Sequence, residues 1–331
     1  VHKSVRWRPL GGFRPDIPCD HVIGLRTPWQ SHFRKARNGS GKLWTWHHDH
    51  AYPNGWSAEG AASSHHLYVS QWQRWALESQ AESATRGAVI YNGVPRAQIE
   101  KARDILLSES RDPFRCLWAS MPTRRLDRLL AIWPEIKERW PKASLDIYYG
   151  LHTTAQLWLS ADVPLYERTV STSRMAAELA PLDVRWIGRV SQPELSRRMW
   201  TAGALLYPSD YPETYMIAAA RAAACGAIPV VTATGALPET SPVAPVSGPV
   251  DDVGFEAETH AAFIEAVGRA FSATNSERDE LSQQVLTTRD WGGVDDRLLA
   301  AFKASETHTL PAGVAHGGPL PGPAAEPTFL L

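Results

Sequence analysis

The stretch from Leu205 to Glu239, LLYPSDYPETYMIAAARAAACGAIPVVTATGALPE, constrains the fold of this chain more than any other segment. A short apolar run reaches Tyr207 and is broken by Pro208-Ser209-Asp210. Pro212-Glu213-Thr214 then leads into an Ala-rich segment of high helix propensity. Cys225-Gly226 supplies the turn, and a second apolar run, Ile228 to Thr232, stops at Thr234-Gly235. Strand, acidic loop, helix, glycine turn and strand make a βαβ unit, whose two strands are parallel. The loop leaves the carboxyl end of the first strand, where ligands of open α/β sheets sit, with anions against the N-terminus of the following helix.

The rest of the chain repeats this alternation. Asp20 to Leu25, Lys42 to Trp46, His66 to Ser70 and Ala88 to Tyr91 read as strands, with a helix over Gln71 to Ser79 and the turn dipeptide Asn92-Gly93 after the last strand. A further strand is expected over Val5 to Trp7. Gln98 to Ser108 reads as a polar helix or linker ending in a charged run. Phe114 to Trp118, Leu145 to Tyr149 and Val184 to Ile187 are further strands, and Gln192 to Thr201 is a helix. Leu126, Leu129, Leu130, Trp133 and Ile136 recur at helical spacing, so Arg124 and Arg125 stand at a helix N-terminus. Positive side chains there oppose the helix dipole, which makes them better suited to sharing an anion with it. Ala261 to Phe271, Glu277 to Thr287 and Val294 to Phe302 close the chain as helices, and the Pro, Gly and Ala run from Ser305 predicts a disordered tail.

The expected organisation is α/β with two domains: residues 1–97, a linker at 98–112, a second domain at 113–289, a final helix at 290–303 and a tail at 304–331. With 331 residues and 44% hydrophobic composition, the chain can bury two cores. A formal net charge of -1 argues against a dedicated nucleic-acid binder, so no nucleic-acid partner is expected. Cys19, Cys116 and Cys225 fit neither a disulfide framework nor a metal spacing, which makes a reducing, cytoplasmic setting the expectation. No segment approaches the roughly 20 apolar residues of a spanning helix. The start, VHKSVRWRPL, has no apolar signal stretch. His47, His48, Asp49, His50, His65 and His66 are close in sequence. Neighbours at a strand end point in opposite directions, however, and no His-x-x-x-His pair supplies zinc geometry, so no metal is expected.

WHHDH at 46–50, YVSQWQR at 68–74, YNGV at 91–94, WASMPTRRLDRLLAIWPEI at 118–136, LDIYYG at 145–150, RWIGRVSQPEL at 185–195 and the stretch from Leu205 occur in an order and spacing with a precedent. The chain resembles retaining, nucleotide-sugar-dependent glycosyltransferases of the GT-B fold, in particular family four, from about Asp20 to Phe302. The resemblance implies two Rossmann-like domains with parallel sheets facing a cleft, the first domain here reading as shortened, and a final helix crossing back to the first domain. It implies a donor nucleoside-diphosphate sugar held mainly by the second domain and a glycan or lipid-linked acceptor held mainly by the first, which leaves room for a peripheral place at a membrane. The resemblance also implies that no cofactor or metal is needed, the leaving diphosphate assisting deprotonation in the family's proposed mechanism.

Residue by residue, Arg124 matches the basic residue before the helix that neutralises the diphosphate; an earlier basic position in that loop is near Ala119 here. Arg125 stands where the family usually has Gly. Glu213 matches the first acid of the family's paired-glutamate motif, which contacts hydroxyls of the donor sugar, and Thr214 and Tyr215 match the segment whose N–H groups approach the phosphate. His48 and Asp49 match a His-Asp pair that reaches the sugar, and Gly188 and Gly235 match turns near the nucleotide. Arg221 departs from the pattern: it occupies the position of the second glutamate, which holds ribose hydroxyls, and a guanidinium has no acceptor atom. Three readings follow: a retaining hexosyltransferase, a GT-B scaffold or sugar-nucleotide-binding protein without activity, and a sugar-nucleotide epimerase.

Overall fold

A computed structural model describes residues 20–26, 42–51, 62, 64–105, 110–150, 162–248 and 256–307. In chain order the strands and helices are β1 (His21–Leu25), β2 (Lys42–Trp46), β3 (His65–Tyr68), α1 (Gln71–Ala81), β4 (Gly87–Val89), α2 (Arg96–Ile105), β5 (Asp112–Trp118), α3 (Leu126–Arg139), β6 (Ser144–Ile147) and α4 (Val163–Glu178). They continue with β7 (Val184–Trp186), α5 (Gln192–Thr201), β8 (Ala202–Tyr207), α6 (Ile217–Ala224), β9 (Ile228–Val231), α7 (Leu237–Thr240), α8 (Ala257–Ser272), α9 (Asn275–Thr288) and α10 (Trp291–Glu306). The chain divides into two compact units, 1–90 with 297–320 and 91–296 with 321–331. The expected strand at Val5 to Trp7, Cys19 and most of the expected tail lie outside the described residues.

The first unit carries a sheet of order β1-β2-β3-β4, parallel throughout. Trp44, Leu67 and Tyr68 are fully buried in it. Ser70 caps α1 by accepting from the Gln73 N–H at 3.0 Å, while Gln73 Oε1 reaches back past the cap to accept from the Val69 N–H at 2.8 Å. The end of α10 belongs to this unit: Phe302 stacks on His21 at 4.1 Å, and Lys42 donates to Ser305 Oγ at 3.2 Å. Residues 305 and 306 thus continue a helix where composition predicts a tail.

The second unit carries a sheet of order β7-β6-β5-β8-β9, again parallel. The order reverses between β5 and β8, which makes the carboxyl ends of those two strands the topological switch point of a doubly wound fold. Every residue of β8 and β9 is buried. Thr274 and Glu277 form a capping box that starts α9, and α9 packs on α6. The sixteen-residue helix α4 has no counterpart in the sequence reading. Its buried face is Thr169, Thr172 and Ala176, a stripe without the large apolar residues that announce an amphipathic helix. Helix α6 begins at Ile217, so Glu213 lies in the preceding loop rather than in the first helical turn.

Candidate functional site

Two loops meet at the switch point of the second unit. One follows β5 and runs through Arg124 and Arg125 into α3; the other follows β8 and runs from Pro208 to Met216. Arg124 Nη1 donates to Glu213 Oε1 at 2.6 Å, and the Tyr207 hydroxyl donates to the same oxygen at 2.6 Å. The Glu213 side chain is 4% exposed and that of Arg124 33%, so the pair joins a buried carboxylate to a cation that reaches the surface. The Arg124 guanidinium also lies 4.3 Å from the centre of the Tyr211 ring, a cation–π contact. Burial alone would lower the Arg124 pKa, but the Glu213 carboxylate, with the phenols of Tyr207 and Tyr211, outweighs it and moves it up.

Arg125 is held differently. Its backbone is left-handed, with φ 74° and ψ 37°, at the residue before α3. This conformation favours glycine and costs an L-residue roughly 1–2 kcal/mol. Its guanidinium turns to Asp210 at 3.1 Å, where Arg128 joins it at 3.3 Å. The strained backbone is therefore offset by a side-chain tie to the β8 loop. Thr232 and Thr234 tie that loop from the β9 side: Ser209 N–H donates to Thr232 Oγ1 at 2.9 Å, and the Thr234 hydroxyl donates to the carbonyls of Ser209 and Tyr211 at 3.1 and 3.2 Å.

Gly235 sits on Glu213. At φ 55°, a Cβ there would fall 2.5 Å from the Glu213 carbonyl oxygen, and the next residue, Ala236, donates its N–H to that oxygen at 2.7 Å. Gly188 follows β7 at φ 86° with open space around its missing Cβ. Tyr215 is buried and Thr214 partly so, and both precede α6. Arg221 lies in α6, its Nη1 on the Gln192 side-chain oxygen and its Nε buried without a hydrogen bond; burial lowers its pKa. The structure thus gathers Arg124, Glu213 and Gly235 into one contact and ties Arg125 to it through Asp210. Arg221 is engaged with α5 instead. Sequence reasoning missed Tyr207 and Tyr211. Tyr207 carried a signal, since it is the last residue of a strand that ends at the switch point.

Solved structures provide the comparison. A UDP-forming alpha,alpha-trehalose-phosphate synthase from Burkholderia vietnamiensis matches with a TM-score of 0.66 at 14% identity, over 89% of this chain and 76% of that one. Sucrose-phosphate synthase from Thermosynechococcus elongatus matches with 0.62 at 12% identity, over 87% and 74%. Anabaena HepE, solved with UDP and glucose, matches with 0.59 at 14% identity, over 86% and 78%. The fold is GT-B. No protein-family model and no curated protein matches the sequence.

In this GT-B chain the remaining two site residues, His48 and Asp49, lie in the first unit just beyond β2. His48 is half-buried beside the Trp46 ring, and the Asp49 carbonyl accepts from Gln73 Nε2 at 3.0 Å. Burial, then the Arg26 charge, pushes the His48 imidazole down to about 4 against a smaller opposing pull from Asp49. His48 is therefore neutral at pH 7 and can both donate to and accept from a hydroxyl. Its neighbour His47 is fully buried, with Nε2 3.0 Å from His66 Nδ1, and burial holds its pKa well below the ordinary value. Among the described residues no group of three or more His, Cys, Asp or Glu side chains is placed to hold a metal, and no helix is long and apolar enough to cross a membrane. Cys116 and Cys225 are buried and free.

The two lowered histidines imply an acid limit. Unfolding returns each to an ordinary pKa near 6.5, so the unfolded chain binds more protons below that pH and stability rises with pH. The contribution of His48 is complete above about 6.5 and is lost as pH falls through about 4. The urea midpoint of the first unit's unfolding is expected to fall steadily from pH 7 to pH 4.5. His48→Asn should flatten that slope, and an unchanged slope in the variant would exclude His48 as its source.

Proposed function

We propose that this protein transfers a hexose from a nucleoside-diphosphate sugar to a sugar-bearing acceptor with retention of configuration. The contact between Arg124 and Glu213 at the switch point carries the reading. It sets a cation and a carboxylate together where a GT-B fold leaves room for a donor. Cleavage of the bond between the anomeric carbon and the phosphate oxygen develops negative charge on the diphosphate, which a cation at the site stabilises most as it forms. Arg124, one-third exposed and with more donors than Glu213 uses, is assigned to the diphosphate. Glu213 is assigned to hydroxyls of the donor sugar, with its charge favouring a developing oxocarbenium ion. Thr214 and Tyr215 are assigned to the phosphate through their backbone, and Gly188 to the turn beside the nucleotide. Arg125 is assigned to holding the β8 loop through Asp210, and Gly235 to the close packing on Glu213. From the first unit, His48 is assigned to a sugar hydroxyl and Asp49 to the same segment. The departing diphosphate takes the proton of the acceptor hydroxyl, so neither a protein nucleophile nor a metal is assigned.

Among the similar structures are a UDP-forming synthase and a protein solved with UDP and glucose, which makes UDP-glucose the first donor to test. A thermal-shift and calorimetric screen of UDP-, GDP- and ADP-sugars, followed by transfer assays read by mass spectrometry, is expected to show binding of at least one donor and sugar transfer from it. Arg221 favours a second reading, a scaffold without activity, because the ribose position offers no carboxylate. Absence of binding by every donor would favour that scaffold over the transferase.

A further inference from the structure

We propose that Tyr207 is a positioning residue: its buried hydroxyl pins Oε1 of Glu213, so that Oε2 is the oxygen presented to the donor sugar. The inference rests on the assignment of Glu213 to the donor sugar. Two donors, Tyr207 and Arg124, converge on Oε1 at 2.6 Å each, and among the described residues Oε2 takes no hydrogen bond. The Glu213 side chain keeps 4% exposure at the end of β8, where the site loops meet. One carboxylate oxygen is thus committed and the other is available.

The two donors differ in how firmly they are held. Arg124 is one-third exposed on a long flexible stem, and a diphosphate would compete with Glu213 for its guanidinium. Tyr207 is fully buried as the last residue of β8, its ring stacked on Trp118 at 5.0 Å and 28°. Trp118 is itself fixed as its indole N–H donates to the Ser120 carbonyl at 2.7 Å. Burial, reinforced by the Glu213 charge, pushes the Tyr207 phenol well above its usual range, so it remains a donor at any working pH. When Arg124 turns to the diphosphate, Tyr207 keeps the carboxylate in place. Two χ angles and a close-packed ring make that hold rigid.

The test uses the full chain and compares each nucleoside diphosphate (UDP, GDP, ADP) with its glucose conjugate by calorimetry. In Tyr207→Phe, which keeps the ring and its stacking, affinity for the bound NDP-glucose is expected to fall about tenfold, while affinity for the bare diphosphate stays within about twofold. In a Glu213→Ala background, adding Tyr207→Phe should change NDP-glucose affinity no further, because the pinned group is gone. Equal losses for diphosphate and sugar conjugate, no loss for either, or additive losses in the double variant would each overturn the role of Tyr207 while leaving the donor site standing. A wild-type chain that binds the diphosphates but gains nothing from the sugar would overturn the Glu213 assignment and Tyr207 with it. Failure to bind any of the six compounds would overturn the donor site altogether. Melting temperatures and circular dichroism of each variant separate lost folding from lost positioning. If Tyr207→Phe does not fold, Tyr207→His supplies the same comparison with a ring N–H in place of the hydroxyl: partial retention of sugar affinity is expected, and loss equal for diphosphate and conjugate would again overturn the role.

Discussion

Glu213→Ala is expected to lower sugar transfer by about 100-fold, ~2.7 kcal/mol of barrier, with the donor that the screen identifies. The size follows from the charge: hydrogen bonds to an ionised group contribute about 1.5–3 kcal/mol each, and Glu213 is assigned at least one to the sugar. Its removal also releases Arg124, which loses the partner 2.6 Å away that keeps it at the switch point. Glu213→Gln should lie between the variant and the wild type, since the amide oxygen still accepts from Tyr207 but carries no charge. Arg124→Ala is expected to lose at least about tenfold, through the leaving diphosphate. Initial rates at saturating donor check all three. Near-wild-type rates in both alanine variants would remove the site from the reaction.

A second large effect is expected far from that site. Arg278, in α9, is 1% exposed and has no carboxylate partner among the described residues. Its guanidinium instead donates to main-chain carbonyls: Nη1 to Gly203 at 2.6 Å and Gly226 at 3.2 Å, Nη2 to Ala270 at 2.5 Å, and Nε to Ala273 at 3.2 Å. One side chain thus joins the start of β8, the turn before β9 and the C-terminal end of α8, whose dipole favours a cation. Arg111 works beside it, donating to Ala202 at 2.5 Å and Cys225 at 2.9 Å, with burial and then the Arg278 charge lowering its pKa to about 10. Arg278→Met keeps an unbranched stem but removes the guanidinium and leaves several buried carbonyls without donors, at about 1–3 kcal/mol for each that finds no substitute. A net loss of about 3 kcal/mol is expected, read as a fall of roughly 6–12 °C in the melting temperature of the second unit. A fall of less than about 2 °C would show that water or neighbouring groups replace those bonds.

Much of the architecture was legible because it rests on local patterns. The strands at Lys42–Trp46 and Ile228–Val231 are short apolar runs bounded by turn residues, and α5 is announced by Ser191, Pro193 and Glu194 at its start. Helix α4 was not legible. Its core-facing residues are threonines and an alanine, which a periodicity argument does not separate from a polar loop. The loop carrying Glu213 was legible ahead of α6, but its partners were not: only the structure shows the carboxylate bound by Arg124 and Tyr207.

By itself the sequence determined which residue types could do chemistry and on which loops they lie. A βαβ unit from Leu205 to Glu239 needs a loop at a strand's carboxyl end, and that loop contains Glu213; a helix from Leu126 needs a start, and that start contains Arg124. These are consequences of propensity and period, which act over a few residues. Tertiary structure alone decided that the two, 89 positions apart, share one carboxylate oxygen with Tyr207. It also decided that Arg125 spends its charge on Asp210 and that Arg221 turns to Gln192. Adjacent arginines carry the same chemistry in a sequence. What separates them is a left-handed backbone at one and a carboxylate within reach of the other, and both depend on how β5 and β8 pair.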